Sequence, residues 1–206
     1  LAGLPISVST HPLTESQIRE IAKAGAERIG IHLDGATEEI FEKVKGAGTG
    51  GPYTWTSHLR GLETGVRVLG RGHVTTHLIV GLGESDRELI ETIQTVFDMG
   101  AYPALFAFTP VPGTPLEGLA QPQPERYRRI QLAHYLITAQ RLRFEDMDFG
   151  GGDRLASLGA LREELNSIIS TGEPFRTSGC PNCNRPFYNE RPGGPIYNYP
   201  RPLTAD

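Results

Sequence analysis

The sequence predicts an α/β protein with parallel strands, most of a partial (β/α) barrel, on three observations. Short β-rich runs alternate with stretches of helical period along residues 4–171, which is typical of successive βα units. A content of 38% hydrophobic and 21% charged residues allows a real core within one domain. Beyond this range the pattern stops, and seven of the 16 prolines lie between Pro174 and Pro202. We therefore expect one domain over 1–171 and an irregular, Pro-rich tail over 172–206.

Four strands are predicted along the first domain. The third is an apolar, β-branched run that we expect to be buried, and three prolines after the fourth strand forbid a helix directly after it. Residues 144–149 form either a short strand or an extended crossing. The four strands are expected at residues 4–10, 28–33, 74–80 and 104–108.

The helices are predicted from capping signals and from hydrophobic period. Thr14 and Gln17 form a capping box, in which each side chain satisfies a backbone amide near the other residue. Five apolar residues between Trp55 and Leu69 follow one another at spacings of four, three, four and three, which is a helical stripe. Helices are expected from the Thr14 cap to Gly25, around 40–44, over 55–69, from the Ser85 cap to Gly100, over 127–140 and over 158–169.

Composition excludes some classes of partner. The net charge of −4 makes neither nucleic acid nor an anionic membrane an expected partner. No apolar run approaches the roughly 20 residues that a membrane helix needs. The chain begins at Leu1 with neither Met nor a charged and apolar leader, so we expect it to be cut from a longer protein. A reducing cytoplasm is the expected location.

Polar residues follow or end the predicted strands, and in a barrel the chemistry gathers at the carboxyl ends of the strands. His32 and Asp34 lie two apart on one strand, so they share a face and are interpreted as functional. His77 alone, inside an apolar run, is more typical of a satisfied core histidine. For any single residue of this set a core or capping role is equally open. The set is His11, His32, Asp34, His77, Glu84 and Thr109.

The run LIVGLGE over residues 78–84 is the most informative inside the domain. Gly81 and Gly83 let the backbone approach a flat ligand as the turn leaves the sheet. Glu84 can accept a hydrogen bond from a hydroxyl or cap the next helix.

Three segments together resemble one enzyme family. In chain order they are LTESQIREIAKAGAERIGIHLDGAT, HLIVGLGES and FTPVPGTPLEG. They are similar, over roughly the first 120 residues, to the radical S-adenosylmethionine superfamily of the biotin-synthase-like type. The resemblance implies an incomplete (β/α)6, TIM-like barrel whose amino-terminal units are missing here. It also implies a 4Fe–4S cluster that holds S-adenosylmethionine and a 5′-deoxyadenosyl radical.

The resemblance also assigns cofactor-binding residues. It places His32 and Asp34 toward S-adenosylmethionine or substrate. It places residues of the third predicted strand and its turn beside the adenine and ribose, and residues after the fourth strand near the adenine. The residues so assigned are His32, Asp34, Ile79, Gly81, Glu84, Thr109 and Pro110.

The chain departs from the family at its iron–sulfur sites. The CxxxCxxC motif that ligates the radical cluster is expected before Leu1, outside this chain. Biotin synthases bind a second, sulfur-donating cluster through cysteines on their strands, and the aligned positions here are Ser7 and Thr75. Biotin formation by that route is therefore not expected.

The two cysteines, Cys180 and Cys183, form a CxxC in the tail. Two thiolates three residues apart on a tight turn can bind one metal, so an auxiliary iron–sulfur cluster, a zinc knuckle completed from elsewhere and a chance pair all stay open. The tail sequence YNERPGGPIYNYPRP resembles the ends of enzymes grouped with the split, two-protein lipoyl synthases.

That second resemblance implies sulfur insertion into an octanoyl chain, with an auxiliary cluster on Cys180 and Cys183 giving up sulfide. It implies an octanoylated carrier protein or peptide, a partner radical S-adenosylmethionine protein and a reductant such as ferredoxin. Three alternatives remain: another biotin-synthase-like enzyme, a non-catalytic module with a zinc-stabilised tail, and a metal-dependent barrel hydrolase or lyase. The last would use His11, His32, Asp34 and His77 as ligands.

Overall fold

A computed structural model describes residues 4–179 and 193–203 of the chain. Within this part, the strands are β1 (Ser7–Ser9), β2 (Arg28–Gly30), β3 (Val74–Val80), β4 (Tyr102–Ala107), β5 (Asp148–Phe149) and β6 (Leu155–Ser157). The α-helices are α1 (Glu15–Lys23), α2 (Glu38–Val44), α3 (Trp55–Leu69), α4 (Asp86–Met99), α5 (Pro124–Thr138) and α6 (Arg162–Ser170).

The first four strands form one sheet in the order β1-β2-β3-β4. The pairs β1–β2 and β2–β3 are parallel, with Ser7 opposite Arg28 and Ile29 opposite Val74. A parallel bridge between Asp34 and Leu78 continues this pairing beyond the end of β2. The chain is therefore a mixed α/β protein built on a four-stranded parallel sheet.

The predicted partial (β/α)6, TIM-like barrel is wrong. The remaining described strands do not extend the four-stranded sheet, because β5 and β6 pair with each other in a separate antiparallel sheet. Only residues 150–154 separate β5 from β6, and a parallel crossover needs a dozen residues or more. The tail is not irregular throughout, since Arg176 and Tyr199 form a parallel bridge.

The chain divides into two compact units. Unit 1 comprises Leu1–Leu78 and Thr95–Ala104, and unit 2 comprises Ile79–Gln94 and Leu105–Asp206. The division into 1–171 and 172–206 stays a prediction. No helix in the described residues has the length and apolar character required to cross a bilayer.

Unit 1 is held together by helix α3 lying very close to the sheet. A Cβ on Gly65 would lie 2.9 Å from the Cδ1 atom of Ile29 and 3.0 Å from a methyl of Val74, so a larger residue would displace these buried side chains. The fully buried side chains around it include Ile18, Ile29, Ile31, Leu33, Phe41, Leu62, Val74 and Leu78. The close approach fixes the position of the polar residues that α3 carries.

Unit 2 is built around helix α5, which is buried on most of its surface. Leu132 and Leu136 pack with Ile168 of α6. On another side the tail covers the helix, where Tyr197 is 2% exposed and its hydroxyl donates to the carbonyl of Pro122 at 2.7 Å. The described part of the tail is thus an ordered component of this core.

Candidate functional site

The ends of strands β1 to β3 in unit 1 bring two of the predicted histidines together. The rings of His32 and His77 stack with centroids 3.5 Å apart and planes at 11°. The Nε2 atom of His32 lies 2.8 Å from the hydroxyl of Ser9 at the end of β1. Ligands of α/β sheets bind at the carboxyl ends of the strands, where Ser9 and His32 lie, whereas His77 lies within β3. His77 is therefore part of a polar group rather than an isolated core histidine.

Asp34 lies beside this pair in an uncommon backbone conformation. Its φ is 64°, in the left-handed region that few residues other than glycine adopt. The ammonium of Lys45 holds the turn, because it donates to the Asp34 carboxylate at 2.7 Å and to the His32 carbonyl at 2.5 Å. The Asp34 amide donates to the His77 carbonyl at 2.8 Å. Such backbone strain concentrates at functional sites, where surrounding contacts maintain it.

His58 on helix α3 adds a third imidazole, which is buried whereas His32 and His77 are half-buried. It is 1% exposed, and its Nδ1 atom lies 3.0 Å from the Thr54 carbonyl. A carbonyl only accepts, so Nδ1 carries the proton and Nε2 is left as an acceptor. Among the described residues Nε2 has no hydrogen-bond partner, and neither has the buried Nδ1 of His32.

Aromatic rings connect His58 to His11. The edges of Phe41 and Tyr53 meet the His58 ring at centroid distances of 4.8 Å and 5.8 Å. Tyr53 also stacks on His11 at 4.6 Å, and its hydroxyl lies 3.0 Å from the His11 Nε2 atom. We call His11, His32, His58 and His77 the histidine cluster.

Burial keeps two members of this cluster neutral near pH 7. Burial lowers the pKa of His32 from 6.5 to about 4, with Asp34 opposing the change and Lys45 and His58 reinforcing it. Burial also lowers the pKa of His58, against the hydrogen bond to the Thr54 carbonyl, which raises it. Each ring is therefore uncharged and has one nitrogen without a hydrogen-bond partner among the described residues. Such a group can hydrogen-bond a hydroxyl, an amine or a heterocycle.

Lys45 and His58 were missed from the sequence. Lys45 stands eleven residues after its carboxylate partner, at the end of α2, and no local pattern links the two. His58 did carry a signal, because it lies three residues after Trp55 and four before Leu62 on the predicted buried stripe. A histidine on a buried helical face needs partners, and that requirement could have identified it.

Gly81 and Ile79 of the predicted adenine motif lie in unit 2. Gly81 has a φ of 107°, and a Cβ there would lie 3.1 Å from Pro122 and 3.3 Å from Phe108. Packing and backbone conformation thus already require a glycine at this position. Ile79 is half-buried on β3.

Glu84 closes the turn after β3, and its carboxylate is hydrogen-bonded to nearby groups. Its side chain is fully buried and accepts from the amides of Gly81 at 2.8 Å and Leu82 at 2.9 Å. The guanidinium of Arg126 donates to it at 3.0 Å. Glu84 therefore ties the turn together, and it does not cap helix α4.

Thr109 and Pro110 are half-buried, and the Gln121 amide donates to the Thr109 hydroxyl at 3.2 Å. His32 and Asp34 thus lie together in unit 1, whereas the other five assigned residues lie in unit 2. That Asp34, Glu84 and His32 approach one cavity stays a prediction.

Cys180 and Cys183 lie outside the described residues, but the described chain on both sides of them is tied together. The Thr177 amide donates to the Tyr199 carbonyl, and the Tyr199 amide donates to the Phe175 carbonyl, each at 2.9 Å. The Leu105 amide of β4 donates to the Ser178 hydroxyl at 2.8 Å. The described residues before and after the cysteine segment are therefore bonded to each other within unit 2.

Arg128 of α5 binds the described part of the tail that follows the cysteine segment. It donates to the carbonyls of Tyr197 at 2.5 Å and Ile196 at 2.6 Å, and it lies over the rings of Phe175 and Tyr199 at 5.2 Å and 5.1 Å. Buried Gln131 adds a bond to the Tyr197 carbonyl at 3.0 Å. We call Arg128 and Gln131 the tail clamp.

Comparison with known proteins supports the predicted likeness at its coarser level. No family model matches the chain. It is 27% identical over 188 residues to a biotin synthase of Alkalilimnicola ehrlichii, covering 89% of this chain and 54% of that protein. It is 28% identical over 145 residues to a biotin synthase of Prochlorococcus marinus, covering 68% of this chain and 41% of that protein. The chain spans about half the length of these curated relatives.

One solved structure is also similar, a protein from Burkholderia cenocepacia J2315 proposed to be a phosphonomutase. The TM-score is 0.42 at 19% identity, over 68% of this chain and 51% of that one, and a likeness this distant supports no conclusion. The similarity to the two biotin synthases agrees with the predicted resemblance at the level of the biotin-synthase-like type. The closer resemblance to lipoyl synthases stays a prediction.

Proposed function

We propose that this chain forms part of a radical S-adenosylmethionine enzyme that inserts sulfur into an unactivated C–H bond of an octanoyl chain, in the manner of lipoyl synthases. The observation that carries the proposal is the likeness to biotin synthases over 89% of the chain. When bound, S-adenosylmethionine and its 4Fe–4S cluster supply a radical able to remove hydrogen from such a bond, which no side-chain base can do.

The histidine cluster fits the S-adenosylmethionine part of this proposal. His32 and His58 each have one buried nitrogen that makes no hydrogen bond to a described residue, and such a buried polar atom requires a partner. Their lowered pKa values keep both rings neutral, so they do not repel a sulfonium cation. His32 and Asp34 would hold the ligand, and Lys45 maintains the turn that presents them.

The cysteine distribution supports a sulfur source different from that of biotin synthases. Ser7 on β1 and Thr75 on β3 stand where those enzymes place cluster cysteines, and neither hydroxyl can replace a thiolate. The chain's two cysteines are Cys180 and Cys183. We propose that they supply two ligands of an auxiliary iron–sulfur cluster, the remaining ligands coming from the rest of the protein or a partner.

The ties around the cysteine segment suit that role. Sulfur must reach a carbon radical within bonding distance, so the segment that holds the sulfur donor has to return to a defined place. The hydrogen bonds of Thr177, Ser178 and Tyr199, together with the tail clamp, provide such an anchored base. The proposed substrate is an octanoylated carrier protein or peptide. A partner radical S-adenosylmethionine protein and a reductant such as ferredoxin complete the proposal.

The test uses the protein at its natural full length, reconstituted with iron and sulfide under anaerobic conditions. In the double variant Cys180→Ala, Cys183→Ala we expect iron and sulfide equal to one cluster to be lost. S-adenosylmethionine cleavage should be retained and sulfur transfer abolished. Asn182→Ala is the matched control, because it alters the same segment and keeps both thiolates. Full iron content with undiminished sulfur transfer in the double variant contradicts the auxiliary cluster.

Binding of S-adenosylmethionine tests the other half of the proposal. Asp34→Ala should raise the dissociation constant of S-adenosylmethionine about tenfold or more, equivalent to about 1.4 kcal/mol. Circular dichroism should show that the fold is intact. His73→Gln is the control, because His73 contacts the Glu27 carbonyl outside the histidine cluster. Equal affinity in the two variants would show Asp34 to be structural only. Partner binding without any S-adenosylmethionine cleavage by the wild type would instead indicate a non-catalytic module.

The metal-dependent hydrolase alternative gains no support from the described residues. Residues 4–179 and 193–203 contain no group of three or more His, Cys, Asp or Glu side chains arranged to hold a metal ion. Of its four proposed ligands, His32 and His77 are stacked face to face, and the Asp34 carboxylate is paired with Lys45.

A further inference from the structure

A cleft in unit 2 is lined by three arginines that the proposed radical chemistry does not use. It lies where α4 and α5 begin and has a volume of about 560 Å³, enough for a small organic ligand. Its walls consist of Glu84, Ser85, Asp86, Gln123, Glu125, Arg126, Arg129, Gly152 and Arg154.

The two carboxylates at the base of the cleft are already engaged. Glu84 accepts from two turn amides and from Arg126, as described above. Asp86 is 3% exposed and accepts from the Arg126 Nε atom at 2.8 Å and from the Leu155 amide at 3.1 Å. Both carboxylates therefore already accept hydrogen bonds that hold the cleft together, and they have little capacity left to bind a cation.

The guanidinium groups, in contrast, keep unused donors. Each carries five N–H groups, and Arg126 bonds through only its Nε and Nη2 atoms. Arg129 reaches Asp86 at 3.6 Å, beyond hydrogen-bond distance, and its buried Nε has no partner among the described residues. Arg154 is exposed, and within the described chain its side chain makes no hydrogen bond or ion pair.

The walls of the cleft carry three guanidinium groups and three carboxylates. The two buried carboxylates, Glu84 and Asp86, both pair with Arg126. Glu125 is exposed at the rim, where solvent and salt screen its charge. Helix α5 also begins here, and its N-cap residue Gln123 makes no side-chain capping bond. The field of the helix then adds to that of the arginines.

From this geometry we propose that the cleft binds one oxyanion, the phosphate or carboxylate group of a ligand, held by Arg129 and Arg154 with Arg126 behind them. Guanidinium donors form paired, charge-assisted hydrogen bonds with both groups, so the recognition chemistry is shared. The site goes beyond the radical chemistry proposed above and does not depend on it. It requires neither an iron–sulfur cluster nor S-adenosylmethionine.

The test is a titration of the natural protein with inorganic phosphate and, separately, with acetate at constant ionic strength. Binding is followed by amide and guanidinium NMR shifts of unit 2. We expect saturable binding of at least one probe, and a dissociation constant about tenfold higher in Arg154→Gln. Arg154 is the variant of choice, because its side chain makes no contact on which folding depends. The probe that binds identifies the oxyanion as phosphate or carboxylate.

Arg141→Gln is the matched control. It removes an exposed arginine of the same unit that lies 3.6 Å from Glu164, away from the cleft. Arg129→Gln should repeat the loss, provided that its thermal midpoint stays near that of the wild type. Absence of saturable binding, or equal weakening in Arg154→Gln and Arg141→Gln, overturns the proposal.

Discussion

The histidines of unit 1 and the buried carboxylates of unit 2 are used in opposite ways. In unit 1, His32 and His58 keep buried nitrogens without partners among the described residues, and burial depresses the pKa of both rings. In unit 2, buried Glu84 and Asp86 are saturated by amides and arginines. The difference separates side chains with an unsatisfied polar atom from side chains that hold the fold, although the sequence motifs treat them alike.

The saturated carboxylates of unit 2 should respond most to mutation. Arg126→Met leaves Glu84 and Asp86 buried without their main partner, and breaking such a pair costs about 3–5 kcal/mol. Urea unfolding followed by circular dichroism measures this loss. The control is Arg141→Met, an exposed pair for which we expect no resolvable change. Similar stability of the two variants would remove the distinction between the units.

The unsatisfied histidines of unit 1 predict a pH dependence. The unfolded chain takes up a proton at His32 near the ordinary pKa of 6.5, the folded chain only near 4, so the unfolded state holds more protons between these values. Stability is therefore full above pH 6.5 and falls as the pH drops toward 4, by roughly 3 kcal/mol at most.

His32→Gln should flatten that dependence, and His73→Gln should leave it unchanged. Unfolding free energies at several pH values measure the slope, and an NMR titration of the His32 ring locates its pKa directly. A His32 pKa near 6.5 would contradict the burial argument.

The tail clamp sharpens the comparison, because it is a saturated group in unit 2 next to the cysteine segment. Arg128→Met removes two hydrogen bonds to tail carbonyls and the contacts with two rings. We expect about 2 kcal/mol of local destabilisation, which corresponds to about 30-fold faster amide exchange over residues 193–203. Exchange unchanged from that of Arg141→Met would show that the tail is held by other contacts.

The smallest expected effect concerns Lys45. Lys45→Met removes a half-buried ion pair with Asp34 and one bond to the His32 carbonyl, at a cost of about 1 kcal/mol. Lys43→Met is the control on the same helix, because its pair with Glu39 is exposed, and no measurable change is expected. If both variants unfold at the same denaturant concentration, Lys45 does not maintain the Asp34 turn.

Local features of the fold followed from residue patterns. The capping box of Thr14 and Gln17 is present, and helix α3 has the predicted bounds of 55–69, because capping and amphipathic period depend on neighbours within one turn. Strand β3 also has its predicted bounds. The barrel failed because pairing of β5 and β6 depends on which strand edge each meets, and the local pattern carries no information about that.

The candidate site divides along the same line. From the sequence, His32 and Asp34 were expected to share a face at the end of a strand, and their role in a site stays a prediction. Only the tertiary structure decided that Lys45 pairs with Asp34 and that His58 joins the histidine cluster. The same holds for the Glu84 carboxylate, which accepts a hydrogen bond from Arg126, 42 residues away. The cost of burying a polar group depends on whether a partner reaches it, and that partner is set by the packing of distant elements.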